Sequence, residues 1–469
     1  MNKLILVFAL ISLLLINACS DENNLIAPVK NPVQGNVNLT RLVTIGNSIT
    51  SGYQSGSLFQ SAQNYSFGNL IAMQVGASYQ QPLVADPGTK GRMEIISLSP
   101  LVIKYNTNSG SPVNTNYSLP YNNLGIPGAV VYDILNATNS NTCASGKAGV
   151  PNPMFDLVLR GAGTQFQQAK ALNPTFITLW IGNNDVLGYA TSGGVSPSAP
   201  TPSAVFAALY SQLADSIASL GVKVAVANIP EVTAIPFFNT VGPQLAVSFP
   251  WTAKNVHNVY YQKHGESVGT GTADSLSLLK GTVLLTLKAA SYTSDFGLPS
   301  GRFYRENNYP AIPSGVDTTK PFGLHPQNPI PDALILDENE MVTAKNSTRD
   351  FNSTISQIAL AKQFILVDMN TEFNKLRAND FTGGTLIDGI KFKTSFITGG
   401  LFSLDGVHPT NQGQGFIANL FIKAINSAYN ATIPVINLST LPGSIILAKK
   451  MNKYGLPEFS PGTFDNIKY

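Results

Sequence analysis

Four short apolar runs constrain the fold of this chain more than any other feature, because each predicts a buried strand. They contain few polar residues and occupy residues 42–45, 176–181, 222–227 and 364–367. Nearly continuous apolar runs of this kind are typical of a parallel sheet that is covered on both faces. The sequence therefore predicts such a sheet at the centre of the protein.

Helical patterns fill the intervals between the runs. In the first helix, predicted over 204–220 and ended by Gly221, the apolar positions four residues apart are Val205, Leu209, Leu213 and Ile217. Asp337 and Glu340 have the pattern of an N-cap and its reciprocal acid before a second helix. In the last helix, predicted over 415–429, one face carries Phe416, Leu420 and Ala424. Alternating strands and helices predict an α/β layered fold.

Two regions interrupt this alternation. Residues 80–120 are rich in Pro, Asn, Ser and Gly, and about 230–335 form a long insertion with many aromatic residues and prolines. Such segments are usually functional walls or lids in a layered fold. We expect the aromatic side chains of the insertion to form mainly its own core, with an acyl-binding wall as the alternative. Residues 431–469 form a C-terminal extension.

The N-terminus predicts export and a lipid anchor. Lys3 precedes an apolar stretch over 4–16, which is of signal-peptide length and too short for a good membrane span. The stretch ends near Cys19 in a pattern that resembles a bacterial lipobox, and the alternative is an ordinary secretory signal with a chance cysteine. We therefore predict a signal peptide over 1–18, lipidation at Cys19 and a flexible tether over 19–38. The expected location is the bacterial cell envelope, at the outer membrane.

Composition excludes several classes of function. Only 12% of residues are charged and the net charge is +3, with no basic run or stripe, so nucleic acid is not an expected partner. If Cys19 carries lipid, Cys143 is the remaining thiol, so no internal disulfide or cysteine-based metal site is expected. The sequence contains no zinc-protease, phosphate-loop or nicotinamide motif, and it implies no metal or cofactor.

Histidine is scarce, which narrows the search for a catalytic base. The chain has four, His257, His264, His325 and His408. His408 follows Asp405 by three residues in a turn with glycine and proline, a spacing that can bring the carboxylate to the imidazole ring. Ser48 follows the first apolar run, and Asn184 lies just past the second. Ligands bind beyond the carboxyl ends of the strands in open α/β sheets, so these residues are expected at one edge.

Four blocks in chain order together resemble the GDSL, or SGNH, hydrolase family. They are Gly46-Asn47-Ser48-Ile49, the segment 123–128, Gly182-Asn183-Asn184-Asp185, and Asp405 with His408. The resemblance spans about 40–430, which would be the SGNH domain at 39–430, and it implies a flavodoxin-like three-layer α/β fold with a parallel central sheet. It also implies a serine esterase or lipase that works through an acyl-enzyme. Ser48 would be the nucleophile, His408 the base and Asp405 its orienting acid, with an oxyanion hole of Ser48, Gly128 and Asn184.

This chain departs from the family at one position and leaves a choice at another. Asn47 stands where the family usually has Asp; that Asp is outside the triad, and Asn can still supply a turn hydrogen bond. In the glycine block Gly125 competes with Gly128 as oxyanion donor. Family spacing favours Gly128, and Pro127 before it has no N–H to offer.

Three alternatives remain open from the sequence. Residues 265–269 fit a nucleophile elbow centred on Ser267, with Asp368 and His408 following in order, although the flanking residues suit neither a strand nor a helix. The substrate is an ester of a small molecule, a lipid or a polysaccharide, including acetyl esters of surface carbohydrate. A non-catalytic surface lipoprotein with this fold is the alternative from another class.

Overall fold

A computed structural model describes residues 33–98, 101–195, 199–263, 270–443, 458–459 and 463–464. The predicted signal peptide, Cys19 and most of the predicted tether lie outside these residues, as do His264 and Ser267. The central sheet of the described part has five strands. They are β1 (Leu42–Gly46), β2 (Asn123–Gly125), β3 (Phe176–Trp180), β4 (Lys223–Ala227) and β5 (Ile365–Val367).

The sheet is parallel throughout, in the order β2-β1-β3-β4-β5. This is the flavodoxin-like order, so the predicted fold class is confirmed. In the register of the sheet Gly46 pairs with Gly125 on one side and with Trp180 on the other. The carboxyl ends of β1, β2 and β3 are therefore level, and the segments that follow them share one edge.

Both faces of the sheet are buried. Successive side chains of a strand point to opposite faces. In β3, Ile177 and Leu179 belong to one apolar cluster, whereas Phe176 and Trp180 belong to the other. The nearly continuous apolar runs thus pack into two apolar clusters, one on each face of the sheet. The result is the expected three-layer arrangement.

Helices cover the sheet and the insertion. In chain order they are α1 (Ser48–Ser51), α2 (Gln60–Gln63), α3 (Phe67–Val75), α4 (Asp133–Asn136), α5 (Ala144–Lys147), α6 (Met154–Leu159), α7 (Gln165–Ala171), α8 (Asn184–Thr191), α9 (Ser203–Ala218), α10 (Pro236–Asn239), α11 (Val241–Ser248), α12 (Ser275–Lys280), α13 (Arg302–Glu306), α14 (Glu338–Lys362), α15 (Met369–Asp380) and α16 (Asn411–Tyr429). On one face α9 packs on α14, with the rings of Phe206 and Phe351 stacked at 4.0 Å between centroids. On the other face α3 packs on α16, with Phe67 and Phe421 stacked at 5.0 Å.

The predicted core stripe is half right in the first helix and wrong in the last. In α9, Leu213 and Ile217 are buried as predicted, but Val205 is 48% exposed, and Phe206 and Tyr210 are buried in its place. In α16, Ile417 and Phe421 are buried and the predicted stripe at Phe416 and Leu420 is only half-buried. Four-residue spacing therefore identified the core face of the C-terminal half of α9 and missed that of α16.

One predicted helix end is confirmed, whereas the start of α16 and one strand differ from the prediction. The capping box at Asp337 and Glu340 is confirmed, with the Glu340 amide 2.9 Å from Asp337 Oδ1. Helix α16 begins earlier than residue 415, because the Thr410 side chain caps it by accepting from the Gly413 amide. The segment 123–128, expected as a loop, begins as strand β2, whose three residues carry too little pattern to be recognised.

The insertion lies between β4 and α14, and its buried side chains belong to the same apolar cluster as one face of the central sheet rather than to a core of their own. Antiparallel pairs join Val259–Gln262 to Thr270–Ala273, and Leu284–Leu285 to Ile335–Leu336. Its Phe237 and Phe238 side chains are fully buried, as expected for core residues.

Five further short strands of the described residues pair outside the central sheet and the insertion. Leu101–Asn106 pairs with Arg92–Leu98 and with Glu458–Phe459. Thr385–Ile387 pairs with Ile390–Phe392. The C-terminal strand therefore returns to the region that interrupts the first half of the sheet.

No helix in the described ranges has the length and apolar character needed to cross a membrane.

Candidate active site

A tight turn holds Ser48 directly after β1. Asn47 caps this turn, since its Oδ1 accepts a hydrogen bond from the Ile49 amide at 3.1 Å. Glycine is required at position 46, because a Cβ there would lie 2.2 Å from Thr50 Oγ1. The turn therefore fixes Ser48, which is 2% exposed, at the carboxyl edge of the sheet.

A continuous chain of contacts joins Ser48, His408 and Asp405. His408 Nε2 lies 2.9 Å from Ser48 Oγ, and His408 Nδ1 lies 3.0 Å from Asp405 Oδ2. In the tautomer with its proton on Nδ1, the imidazole donates to the carboxylate and can accept from the serine hydroxyl. The fold thus brings together three residues that the sequence separates by as many as 360 positions.

Asp405 is fully buried and held as a carboxylate. Its Oδ1 accepts from the Val407 and His408 amides at 2.9 and 2.8 Å, and its Oδ2 accepts from the Gly56 amide at 3.0 Å. Burial by itself would raise the pKa of Asp405, but attraction to His408 and these hydrogen bonds outweigh it and hold the pKa below its ordinary value. A charged acid beside Nδ1 favours the imidazolium form of His408 during a proton transfer.

Distant segments support the turn that carries Asp405 and His408. The Phe237 amide, at the start of α10 in the insertion, donates to the Gly406 carbonyl at 2.9 Å. Gly406 has φ +70, and a Cβ there would lie 3.1 Å from the Phe237 nitrogen. On the other side the Ser55 amide donates to Ser403 Oγ at 3.0 Å. The insertion therefore stabilises the turn that carries Asp405 and His408, here called the histidine turn.

Two backbone amides near Ser48 have no hydrogen-bond partner among the described residues, those of Ser48 and Gly128. The Gly125 amide, by contrast, donates to Asn123 Oδ1 at 2.9 Å, so it is already satisfied. Gly128 has φ +83, a conformation that favours glycine. Of the two candidate glycines, Gly128 is thus the one with a donor to offer.

Asn184 is fixed at the start of α8. Its Nδ2 donates to the Ala129 carbonyl at 2.9 Å. An amide nitrogen carries two hydrogens, so this bond orients the side chain and leaves the second hydrogen for a ligand. Asn184 lines the same cavity as Ser48 and His408.

Asn47 forms an amide pair with Asn183. Its Nδ2 donates to Asn183 Oδ1 at 3.0 Å, and both side chains are buried. An aspartate at position 47 could accept from the Ile49 amide as Asn47 does, but it has no hydrogen to donate to Asn183. The substitution in this chain therefore ties the serine turn to the residue beside Asn184.

Two buried carboxyl groups, which the sequence did not single out, clamp the Gly128 loop. Asp185 Oδ2 accepts from the Val131 amide at 3.0 Å, and Asp133 Oδ2 accepts from the Val130 amide at 2.9 Å. Burial is the main cause that raises the pKa of Asp185 to about 7 and that of Asp133 to about 6, and the charge of Asp133 raises the pKa of Asp185 further. The only sequence signal was the position of Asp185 beside Asn184.

The remaining candidates lie outside this arrangement. Asp368, the acid of the elbow pattern, caps α15 and accepts from Asn228 Nδ2 at 2.7 Å, so it is Asp405 that pairs with His408. Cys143 is buried, and its Sγ accepts from the Gly146 amide at 3.3 Å. In the ranges that the structure describes, no three His, Cys, Asp or Glu side chains are grouped so that they could hold a metal ion.

A cavity of about 110 Å³ opens onto Ser48 and His408. The polar groups of its lining side chains are those of Ser48, His408, Asn183 and Asn184 and the indole Nε1–H of Trp180, which has no hydrogen-bond partner among the described residues. The other walls come from the start of the insertion, from α15, from the segment 401–409 and from α16. Three side chains of α16 line this cavity, the half-buried Phe416 and Leu420 and the buried Ile417, and all three also pack against the core.

Three solved structures match this chain at low sequence identity and low TM-score. An alpha/beta hydrolase enzyme from the metagenome of Lake Arreo, Spain, has 11% identity and a TM-score of 0.34, covering 83% of this chain and 96% of its own. An acetyl xylan esterase has 12% identity and a TM-score of 0.32, with 82% and 98% covered. An extracellular lipase from Streptomyces rimosus has 14% identity and a TM-score of 0.30, with 83% and 99% covered. No curated protein matches the chain.

The sequence model of one family also matches this chain, and its description is GDSL-like Lipase/Acylhydrolase. The match covers residues 42–277, just over half of the 469 residues. It includes Ser48, Gly128 and Asn184 and ends before Asp405. This match shows that the protein belongs to the GDSL-like lipase/acylhydrolase family, and hence to the hydrolases that act on esters.

Proposed function

We propose that this protein is a serine esterase in which Ser48 attacks the carbonyl carbon of a carboxylic ester and forms an acyl-enzyme. The observation that carries the proposal is the chain of contacts from Ser48 Oγ through His408 to Asp405, at 2.9 and 3.0 Å. A nucleophile, a base in contact with it and a buried acid that orients the base are what this chemistry requires.

The first half-reaction forms the acyl-enzyme. His408 Nε2 takes the proton of Ser48 Oγ as the new C–O bond forms, and the charge moves to the carbonyl oxygen. The amides of Ser48 and Gly128 and the side chain of Asn184 donate hydrogen bonds to that oxyanion. The C–O bond to the alcohol then breaks, and His408 gives its proton to the departing alcohol.

The second half-reaction repeats these steps with water. His408 removes a proton from water, which attacks the acyl carbon and regenerates the oxyanion. Collapse releases the carboxylic acid, and the proton returns from His408 to Ser48 Oγ. Asp405 remains a carboxylate throughout and stabilises the imidazolium that forms twice in the cycle.

Hydrolysis of p-nitrophenyl butanoate by wild type and Ser48→Ala tests this proposal. Removing the nucleophile of a triad typically costs about 10⁶-fold in kcat, so the variant should retain only slow residual hydrolysis. Ser61→Ala makes the same change at an exposed serine and should keep full activity. Equal hydrolysis by wild type and Ser48→Ala would contradict the proposal and favour a non-catalytic binding protein.

We also propose that a lipid on Cys19 holds the enzyme at the outer membrane. The support is the sequence before and at Cys19, since this part of the chain lies outside the described residues. Cell fractionation of wild type and Cys19→Ser tests the anchor: wild type should sediment with outer membranes, and the variant should not. Equal membrane association of the two would overturn the anchor.

A further inference from the structure

A buried serine hydroxyl contacts the carboxylate of Asp405, and the catalytic steps described above do not use it. Ser403 Oγ lies 3.0 Å from Asp405 Oδ1, and it accepts a hydrogen bond from the Ser55 amide at 3.0 Å. A hydroxyl has one hydrogen to donate and a carboxylate has none. Because the Ser55 amide also approaches Ser403 as a donor, the Ser403 hydroxyl gives its hydrogen to Asp405.

The amide that bonds to the Ser403 hydroxyl belongs to the stretch of chain that follows α1, the helix of the nucleophile. The same stretch makes two further contacts with the triad. The Gly56 amide donates to Asp405 Oδ2 at 3.0 Å, and the ring centroid of Tyr53 lies 4.8 Å from that of His408. The chain that begins with the nucleophile therefore also reaches the acid, and the Ser403 hydroxyl is part of that connection.

The main chain of the histidine turn is closed without this hydroxyl. The Ser403 amide donates to the His408 carbonyl at 2.8 Å, and the Gly406 amide donates to the Ser403 carbonyl at 3.0 Å. Ser403 is also absent from the described residues that line the cavity in front of Ser48. Removing the hydroxyl should therefore leave the turn and the substrate cavity in place and act on Asp405 alone.

We propose that Ser403 is a positioning residue of the triad, which acts through Asp405. Its hydroxyl holds Oδ1 while the imidazole of His408 binds Oδ2, so hydrogen bonds on both oxygens fix the plane of the carboxylate. The same hydrogen bond takes up part of the negative charge that His408 would otherwise receive. This inference rests on the proposed function of Ser48.

The hydrogen bond from Ser403 should shift the pH dependence of catalysis in a defined direction. A hydrogen bond to a carboxylate is strongest when no cation neutralises that carboxylate, so Ser403 stabilises the state with neutral imidazole more than the state with imidazolium. The neutral imidazole is the catalytic base. Loss of the hydroxyl should therefore move the acidic limb of kcat/KM to higher pH.

The surroundings of His408 are simple enough for this shift to be assigned. Among the described residues that line the cavity with it there is no Asp, Glu, Lys or Arg. Tyr53 is the titratable side chain that packs against its ring, and Asp405 is the charged group that bonds to it.

A pH series of kcat and KM on p-nitrophenyl butanoate tests the proposal, between pH 5 and 9. In Ser403→Ala we expect the midpoint of the acidic limb to rise by about half a pH unit and kcat to fall about fivefold, with KM unchanged. Ser403→Thr keeps a hydroxyl and should restore both values.

Ser57→Ala is the matched control. It also removes a buried hydroxyl, but Ser57 Oγ lies against Thr89, at 3.2 Å from its carbonyl oxygen, and outside the triad. This variant should keep the acidic limb at the wild-type pH.

The outcomes separate Ser403 from the proposed function. An acidic limb that stays at the wild-type pH or moves lower in folded Ser403→Ala, even with a uniform loss of activity, would overturn the positioning role. So would an equal shift in Ser57→Ala, or a threonine variant that behaves like the alanine variant. If Ser403→Ala does not fold, Ser403→Cys replaces it, since a thiol is a weak donor and should shift the limb in the same direction. Hydrolysis that survives Ser48→Ala would overturn the proposed function itself.

Discussion

The turn that carries Ser48 and the turn that carries Asp405 and His408 are built in different ways. The first follows a central strand; Asn47 caps it from within, and its outer bonds run to Asn183 beside the next strand and to Gln414 of α16. The second precedes α16 and is held by segments far away in the chain, Gly56 and Phe237. The family match includes the first turn and ends before the second.

The buried carboxyl group beside His408 and those beside the Gly128 loop differ in the direction in which their pKa values are shifted. Asp405 lies against His408, and its pKa is held below the ordinary value although burial opposes this. For Asp185 and Asp133, which clamp the Gly128 loop, burial outweighs their hydrogen bonds and, for Asp133, the attraction of Lys147, and it raises their pKa values to about 7 and about 6. The turn of Asp405 and His408 is thus built around a stable charge, whereas the Gly128 loop is held by acids whose charged form is disfavoured by burial.

Among the substitutions that test this comparison, Asn184→Ala is expected to give the largest loss of kcat. Asn184→Ala removes the side chain that we propose as an oxyanion donor, together with its bond to the Ala129 carbonyl. We expect kcat to fall about 100- to 1000-fold with little change in KM, since the donor acts on charge that develops in the transition state. Steady-state kinetics on a butanoate ester measures both constants. Near-normal kcat in a folded variant would remove Asn184 from the oxyanion hole.

The clamp should appear as a pH dependence of stability. Because the pKa of Asp185 is raised from 3.8 to about 7, its contribution to stability is full below pH 3.8 and is lost as pH rises through about 7. Asp185→Asn keeps an acceptor for Val131 and can donate to Thr201. It should therefore flatten the fall in unfolding free energy between pH 4 and 8 by on the order of 1–4 kcal/mol.

Asp133→Asn provides the contrast for this measurement. Asp133 accepts from two amides, those of Val130 and Ala144, and an asparagine can accept from only one of them without placing its NH₂ against the other. We expect this variant to be less stable than wild type by about 1–3 kcal/mol at pH 5. Denaturant unfolding at a series of pH values measures both variants. Equal pH slopes in wild type and Asp185→Asn would contradict the clamp.

The smallest effect is expected at the serine turn itself. Asn47→Asp keeps the cap on Ile49 but loses the donor to Asn183, so a reoriented Asn183 amide must supply the hydrogen bond. We expect kcat/KM within about tenfold of wild type and a loss of stability of about 1 kcal/mol. Asn47→Ala removes both bonds and should be worse in each measurement. Equal behaviour of the two variants would show that the amide pair has no part in holding Ser48.

The sequence predicted the layers of the fold and the components of the site, because both leave local marks. Apolar runs indicate strands, and the Asp405-to-His408 spacing lies within a single turn. The three-residue strand β2 was missed because it is too short to carry a pattern. The bond of Asp185 to the Val131 amide was missed because it joins residues 54 positions apart.

The spacing of apolar residues in the sequence also did not show which face of α16 is buried. Phe416 and Ile417 are both apolar and both line the cavity, and only tertiary packing decides that Ile417 is the more deeply buried. The same limit applies to the insertion, whose contact with Gly406 has no signature in the sequence.

The central claim is that His408 and Asp405 activate Ser48 as a nucleophile. A fluorophosphonate tests it most directly, because it phosphonylates an activated serine oxygen with loss of fluoride. Peptide mass spectrometry of labelled wild type should find the adduct on Ser48, with labelling strongly slowed in His408→Ala and absent in Ser48→Ala. An unlabelled Ser48 in active wild type, or an adduct on another serine such as Ser267, would contradict the account.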